Sequence, residues 1–285
     1  MKRLILVLAV LLAACSQSQP DVEVETAEES AQPTEASVQV STPQAEVPQP
    51  AAALPPGPVT LIALGDSLTQ GDGDDSGRGY PGRLLEMVNA VRPDSMLINL
   101  GQSGWSSDAL INGDQGIESQ LMRAVAEVKD AASQGRNPVA LVWIGSNDLW
   151  YLYEYGEGMN INDLNDASRF SSNMDTILRE LTNAGARVIV AMLDDQSKRP
   201  VARKGEAFVS ITKDELYTRM PAQIMRYNQI ITDKAVQYGA LTVDFYATYI
   251  FTNPATLYDD GNHPNSAGYD IIAQMWFDVL NRILQ

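Results

Sequence analysis

The chain has 285 residues, 45% of them hydrophobic, and a formal net charge of −16, enough apolar material for one sizeable domain and a tail. A surface this acidic repels phosphate backbones and anionic headgroups, so nucleic-acid binding and plain electrostatic adhesion to a membrane are disfavoured. The lone cysteine, Cys15, excludes an intramolecular disulfide.

Residues 1–15 read as an export signal. Met1-Lys2-Arg3 is a short basic region, and Leu4 to Leu12 is an apolar run of nine, too short to cross a bilayer, which needs roughly 20 residues. The run closes in Leu12-Ala13-Ala14-Cys15, which resembles a bacterial lipobox: small residues admit the peptidase, and the Cys15 thiol takes the lipid. A multi-chain lipid would hold the mature protein on a membrane. Ser16 after the cysteine resembles outer-membrane sorting in Gram-negative bacteria, facing the periplasm or the cell surface. Residues 16–58 then carry seven acids, no Lys or Arg and no aromatic residue. Such a segment cannot bury enough apolar surface to offset chain entropy, so a disordered tether is expected, spanning about 36 Å as a flexible coil. The remaining residues, 59–285, hold 29 acidic and 18 basic side chains.

From Val59 strand and helix signals alternate. Strands are expected at 59–64, 96–100, 139–144, 187–193 and 241–245. Helices are expected at about 80–91, 117–132, 162–184 and 219–238, with a last one capped by Ser266. A long polar loop, 194–218, follows the fourth strand. Apolar strands alternating with helices predict an α/β fold in three layers, with a parallel five-stranded sheet between helices.

In such a sheet, ligands bind beyond the carboxyl ends of the strands. The first strand leads into Gly65-Asp66-Ser67-Leu68, the second into Gly101-Gln102-Ser103-Gly104, and the third into Gly145-Ser146-Asn147-Asp148. Asp260-Gly261-Asn262-His263-Pro264 precedes the last helix. These residue types suit acyl transfer. A serine hydroxyl needs a base near neutral pH, and His263 is the one histidine in the chain. Asp260, three residues earlier, is placed to accept the imidazole Nδ1 proton. An oxyanion needs two or three donors within about 3 Å, and the candidates are the backbone N–H groups of Ser67 and Gly104 and the side-chain amide of Asn147.

These four motifs, in this order, resemble the SGNH (GDSL) hydrolases over about 59–285. The resemblance implies a flavodoxin-like fold and ester hydrolysis through Ser67, Gly104, Asn147 and His263, with Asp260 completing the triad and no metal or cofactor. For the glycine, Gly101 stands as the alternative to Gly104. Asp66 is read as structural, bonding backbone donors beside the nucleophile. Asp72-Gly73-Asp74-Asp75-Ser76-Gly77 partly imitates a calcium loop, but Arg83 stands where the bidentate Glu belongs, so a solvated loop is expected. One histidine and no spare thiol exclude a zinc hydrolase, and the lack of a Gly-x-Ser-x-Gly elbow disfavours an α/β-hydrolase.

Trp105, Trp150, Tyr151 and Tyr153 could wall an acyl or aryl group or simply pack on the core. The expected substrate is therefore a small-molecule or lipid ester, lysophospholipid or similar, at the cell envelope. The alternatives are a carbohydrate O-acetylesterase or acyltransferase, and a non-catalytic surface lipoprotein that binds glycan or lipid.

Overall fold

The computed structural model describes residues 52–154, 163–204 and 212–285. Cys15, the export signal and the tether up to residue 51 lie outside the described residues. The expected strands form one parallel sheet: β1 (Val59–Gly65), β2 (Met96–Asn99), β3 (Asn137–Trp143), β4 (Arg187–Ala191) and β5 (Leu241–Val243), in the order β2-β1-β3-β4-β5. β1 and β3 pair from Val59 with Asn137 to Gly65 with Trp143, and every residue of both is buried. Burial on both faces is why they read as unbroken apolar runs. The order reverses between β1 and β3, so a crevice opens beyond their carboxyl ends.

Helices cover both faces. α1 (Ser67–Gln70) is a single turn after β1; α2 (Gly79–Val91) packs against the last helix, α9 (Ser266–Leu284). On the other face α4 (Gln120–Ser133), α6 (Asp163–Ala184) and α8 (Met220–Tyr238) lie in a row. Three shorter helices, α3 (Ser107–Asn112), α5 (Ser146–Glu154) and α7 (Pro200–Lys204), belong to the loops. Beneath α2 and α9 the Trp143 ring stacks on Phe245 at 4.3 Å, and Tyr80 stacks on Trp276 at 5.2 Å. Beneath the opposite layer Phe170 stacks on Tyr227 at 4.2 Å.

Several boundaries differ from the sequence expectation, each for a stated reason. β4 stops at Ala191 because Asn228 of α8 accepts from the Leu193 N–H (2.7 Å) and donates to its carbonyl (2.8 Å), replacing a neighbouring strand. β5 stops at Val243 because the Asp244 carboxylate takes the N–H of Tyr246. α4 begins at Gln120 rather than near 117, capped by the Ser119 hydroxyl, which accepts from the Met122 N–H. Asn265, not Ser266, caps α9. The packed chain also begins before Val59. The Leu54 N–H donates to the Ile283 carbonyl, the Leu54 side chain packs on the core, and Arg92 donates to the carbonyls of Pro55 and Gly57.

The calcium-like loop is wound around one buried carboxylate. Asp74 accepts from both Nη atoms of Arg83, from the hydroxyls of Ser76 and Ser266, and from the N–H of Gly79. Arg83 also bonds Asp270 of α9, so one guanidinium joins α2, the loop after Ser67 and the start of the last helix. Burial raises the Asp74 pKa, but the Arg83 fork and the two hydroxyls outweigh it and hold the carboxyl far below the usual range. Removing Arg83 as Arg83→Met strands that charge, and a loss of about 3–5 kcal/mol is expected. Because the carboxyl pKa is depressed, the loss is present at neutral pH and fades only in strong acid. Urea unfolding at pH 7 checks this, and an unchanged midpoint contradicts it.

Candidate active site

β1 delivers Ser67 by a sharp turn. After Gly65 the Asp66 carboxylate accepts from the Leu68 N–H at 3.0 Å and caps α1, so Ser67 is the first residue of a one-turn helix. Its Oγ lies 3.0 Å from His263 Nε2, and His263 Nδ1 lies 2.6 Å from Asp260 Oδ2. The other Asp260 oxygen accepts from the N–H groups of Asn262 (2.8 Å) and His263 (2.9 Å). Burial pushes the Asp260 pKa up, but the His263 ring and these backbone donors bring it below the ordinary value, so it stays a carboxylate. A charged acceptor at Nδ1 assigns the proton to that nitrogen and leaves the Nε2 lone pair facing the serine hydroxyl.

The glycine and asparagine loops are tied to the same edge. The Gln102 N–H donates to Gly65 O (3.0 Å), the Ser103 N–H to Gln70 Oε1 (2.6 Å) and the Ser103 hydroxyl to Asp72 Oδ2 (2.7 Å). Asn147 donates one amide N–H to Trp105 O (2.9 Å) and has a second to offer. Asp148, buried, accepts from the N–H and hydroxyl of Ser107, which locks the start of α3 against α5. Burial raises the Asp148 pKa despite the two Ser107 bonds that lower it. The two glycines have separate reasons. A Cβ at Gly101 would sit 2.4 Å from Gln70 N and 2.6 Å from Thr69 C, so Gly101 is needed for packing on α1. Gly104 has φ +78° with open space around it except for the Tyr151 hydroxyl, so its left-handed backbone turns the peptide. A hydroxyl, an imidazole and a carboxylate therefore line up at one sheet edge, with the Gly104 and Asn147 loops tied beside them, a set able to perform acyl transfer.

Of the three candidate wall residues whose side chains are described, Tyr151 is the exposed one. Its ring is 38% exposed, and its hydroxyl donates to Gly104 O at 2.6 Å. Trp105 is 4% exposed and packs into the core; it lines the recesses beside Gly104 from beneath rather than forming an exposed wall. Trp150 is half-buried against the core. The side chain of Tyr153 lies outside the described residues, as do Tyr155 and Met159.

The polar loop 194–218 departs most from expectation, although 205–211 lie outside the described residues. Asp194, Asp195, Gln196, Ser197 and Arg199 are buried beside the site. Arg199 pairs with Asp194 and reaches Asn262 of the histidine turn. Acids followed four or five residues later by Lys198 and Arg199 were the available signal, and a surface turn gives the same pattern.

A family model described as GDSL-like lipase/acylhydrolase matches residues 63–271, which include Ser67, Gly104, Asn147 and the Asp260–His263 turn. The chain belongs to the GDSL-like lipase/acylhydrolase family. It is a carboxylic ester hydrolase with a three-layer α/β/α fold. Solved structures agree on the fold. An acetylxylan esterase from Geobacillus stearothermophilus is 20% identical with a TM-score of 0.54, over 81% of this chain and 96% of that one. A psychrotrophic esterase from a Pseudoalteromonas species is 18% identical with a TM-score of 0.53, over 78% and 97%. An alpha/beta hydrolase enzyme from the metagenome of Lake Arreo, Spain, is 19% identical with a TM-score of 0.55, over 81% and 98%. The comparison with curated proteins gives no significant match.

One carboxyl of the hydrolase stands apart from the triad. Asp66 is buried beside the nucleophile, and its Oδ2 has no hydrogen-bond partner. Burial dominates, the Leu68 N–H and the Arg199 charge oppose it, and the pKa is pushed up to about 7. The folded state thus keeps a proton that the unfolded chain releases at about pH 4, so Asp66 makes stability fall as pH rises from there to about 7. Asp66→Asn keeps the acceptor for Leu68 and removes the titration. Its unfolding free energy relative to the parent should therefore rise across that window and level off above it. Urea titrations at acid and alkaline pH read the difference, and a constant offset contradicts the assignment.

Proposed function

We propose that the hydrolase cleaves esters through an acyl-enzyme on Ser67, the reading carried by the 3.0 Å contact between its Oγ and His263 Nε2. His263 takes the hydroxyl proton as Oγ attacks the ester carbonyl, while Asp260 holds the ring and stabilises the imidazolium. The oxyanion is met by the N–H groups of Ser67 and Gly104 and by the Asn147 amide. The imidazolium returns its proton to the leaving alkoxide. Water, deprotonated by the same ring, then attacks the acyl carbonyl and frees the acid and Ser67.

The substrate we assign is a short-acyl ester on a polar carrier, such as an O-acetylated carbohydrate. A recess of about 170 Å³ lies against Gly104, lined by polar Gln102, Ser103, Ser106 and Gln115 together with Trp105, Ala109, Ile117 and Tyr151. A second recess of about 330 Å³ shares Gln102, Trp105 and Ile117 with it, and both fall at or below the small end of the roughly 300–1,000 Å³ range of pockets that take large ligands. A lysophospholipid would present a long acyl chain to the same edge, and of the candidate wall residues with described side chains Trp105 is buried and Trp150 half-buried, which leaves Tyr151 as the exposed one. We further propose that the mature protein is exported and lipid-anchored through Cys15, at the outer membrane. The support is the basic, apolar and small-residue order of residues 1–15.

Ser67→Ala and His263→Ala should each lower kcat by about 10³-fold or more with little change in Tm. Substantial turnover in either variant removes the mechanism. Across acetyl, butyryl, octanoyl and longer p-nitrophenyl esters, kcat/KM should fall as the chain lengthens. A rise toward long chains supports the lipid ester instead.

A further inference from the structure

The turn from Asp260 to His263 supplies two of the three reacting side chains, and it lies between two supports. On one side it is self-bonded: the Tyr258 N–H donates to His263 O and the Gly261 N–H to Tyr258 O. On the other side it meets the start of the loop whose role the sequence left open. Arg199 there is 3% exposed. Its Nε and Nη2 donate to the two oxygens of buried Asp194 at 2.9 and 2.6 Å, and its guanidinium lies 4.6 Å from the Phe251 ring centre. That leaves Nη1, which donates to Asn262 Oδ1 at 2.7 Å. Two residues on, the Val201 N–H donates to Gly261 O at 3.2 Å.

We propose that Arg199 is a positioning residue that sets the placement of Asp260 and His263 by holding Asn262. It touches neither substrate nor reacting atoms. Asp194 and Phe251 fix the guanidinium on two sides, so the fork presents a donor whose place is set by the core. Asn262 stands between the two catalytic residues of the turn, and fixing its side chain limits how far the imidazole can swing from Ser67. A buried ion pair used this way gives geometry rather than net stability. The inference rests on the reading of Ser67, His263 and Asp260 given above.

Arg199 itself is a poor place to test this, because Arg199→Met would leave Asp194 buried and unpaired and endanger folding. Asn262 sits on a partly exposed turn and separates the two effects. In the otherwise intact protein, Asn262→Ala removes the acceptor, and Asn262→Asp keeps an acceptor oxygen facing the guanidinium. Both are assayed at mildly alkaline pH with p-nitrophenyl acetate and by the rate of fluorophosphonate labelling at Ser67. Asn262→Ala should lower kcat and the labelling rate together by roughly tenfold or more, as expected for a displaced base. KM should stay within about twofold and Tm should shift little. Asn262→Asp should recover most of the loss. Wild-type kcat and labelling in Asn262→Ala overturn the proposal, and so does an equal loss in both variants. Absence of any Ser67 labelling in the parent protein would instead overturn the acyl-enzyme reading, and this inference with it.

Discussion

The contact between His263 Nε2 and Ser67 Oγ joins residues 196 positions apart, and a hydrogen bond tolerates only a few tenths of an ångström of error. The two side chains leave the sheet from different places, one directly after β1 and the other from the turn before α9. Neither loop could meet that tolerance by itself. The Asp74–Arg83 pair supplies one rigid link, because Ser266 at the head of α9 and the loop after Ser67 bond the same carboxylate. The α2–α9 layer and its aromatic stack supply a second. The sheet provides the frame, and these polar ties convert it from a frame into a site.

An acid-rich protein must do something with the carboxylates it buries, and this one treats each differently. Asp74 is charged and clasped by Arg83; Asp194 is clasped by Arg199. Asp148 accepts from the hydroxyl and N–H of Ser107. Asp66 has one backbone donor and an open second oxygen, and burial raises its proton affinity until it holds the proton. Asp260, which we propose as the carboxylate of the reacting set, keeps its charge because three donors converge on it. Local donors, rather than overall charge, decide which carboxyl does electrostatic work.

How far the sequence could be read follows from which forces are local. β1 and β3 were plain because burial on both faces makes their residues uniformly apolar, and the Ser67–His263–Asp260 contact was plain because the chain has a single histidine. The end of β4 was not, since it is set by Asn228, 35 residues away. α3 was missed because six residues are too few to show a period. Trp105 sits beside Gly104, and nothing local distinguishes a ring that walls a cleft from one that is buried in the core. The Arg199–Asn262 bond spans 63 residues, and a run such as Asp194-Asp195-Gln196-Ser197-Lys198 looks like any solvated turn until the fold closes over it.

The docking of Leu54 against Ile283, with Arg92 gripping the carbonyls on either side, puts the chain's point of entry at the amino-terminal pole of the strands. The serine and the imidazole occupy the opposite pole. The folded part thus separates its two ends: the rungs that receive residues 54–57 lie at one end of β1, and the Ser67–His263 pair lies at the other.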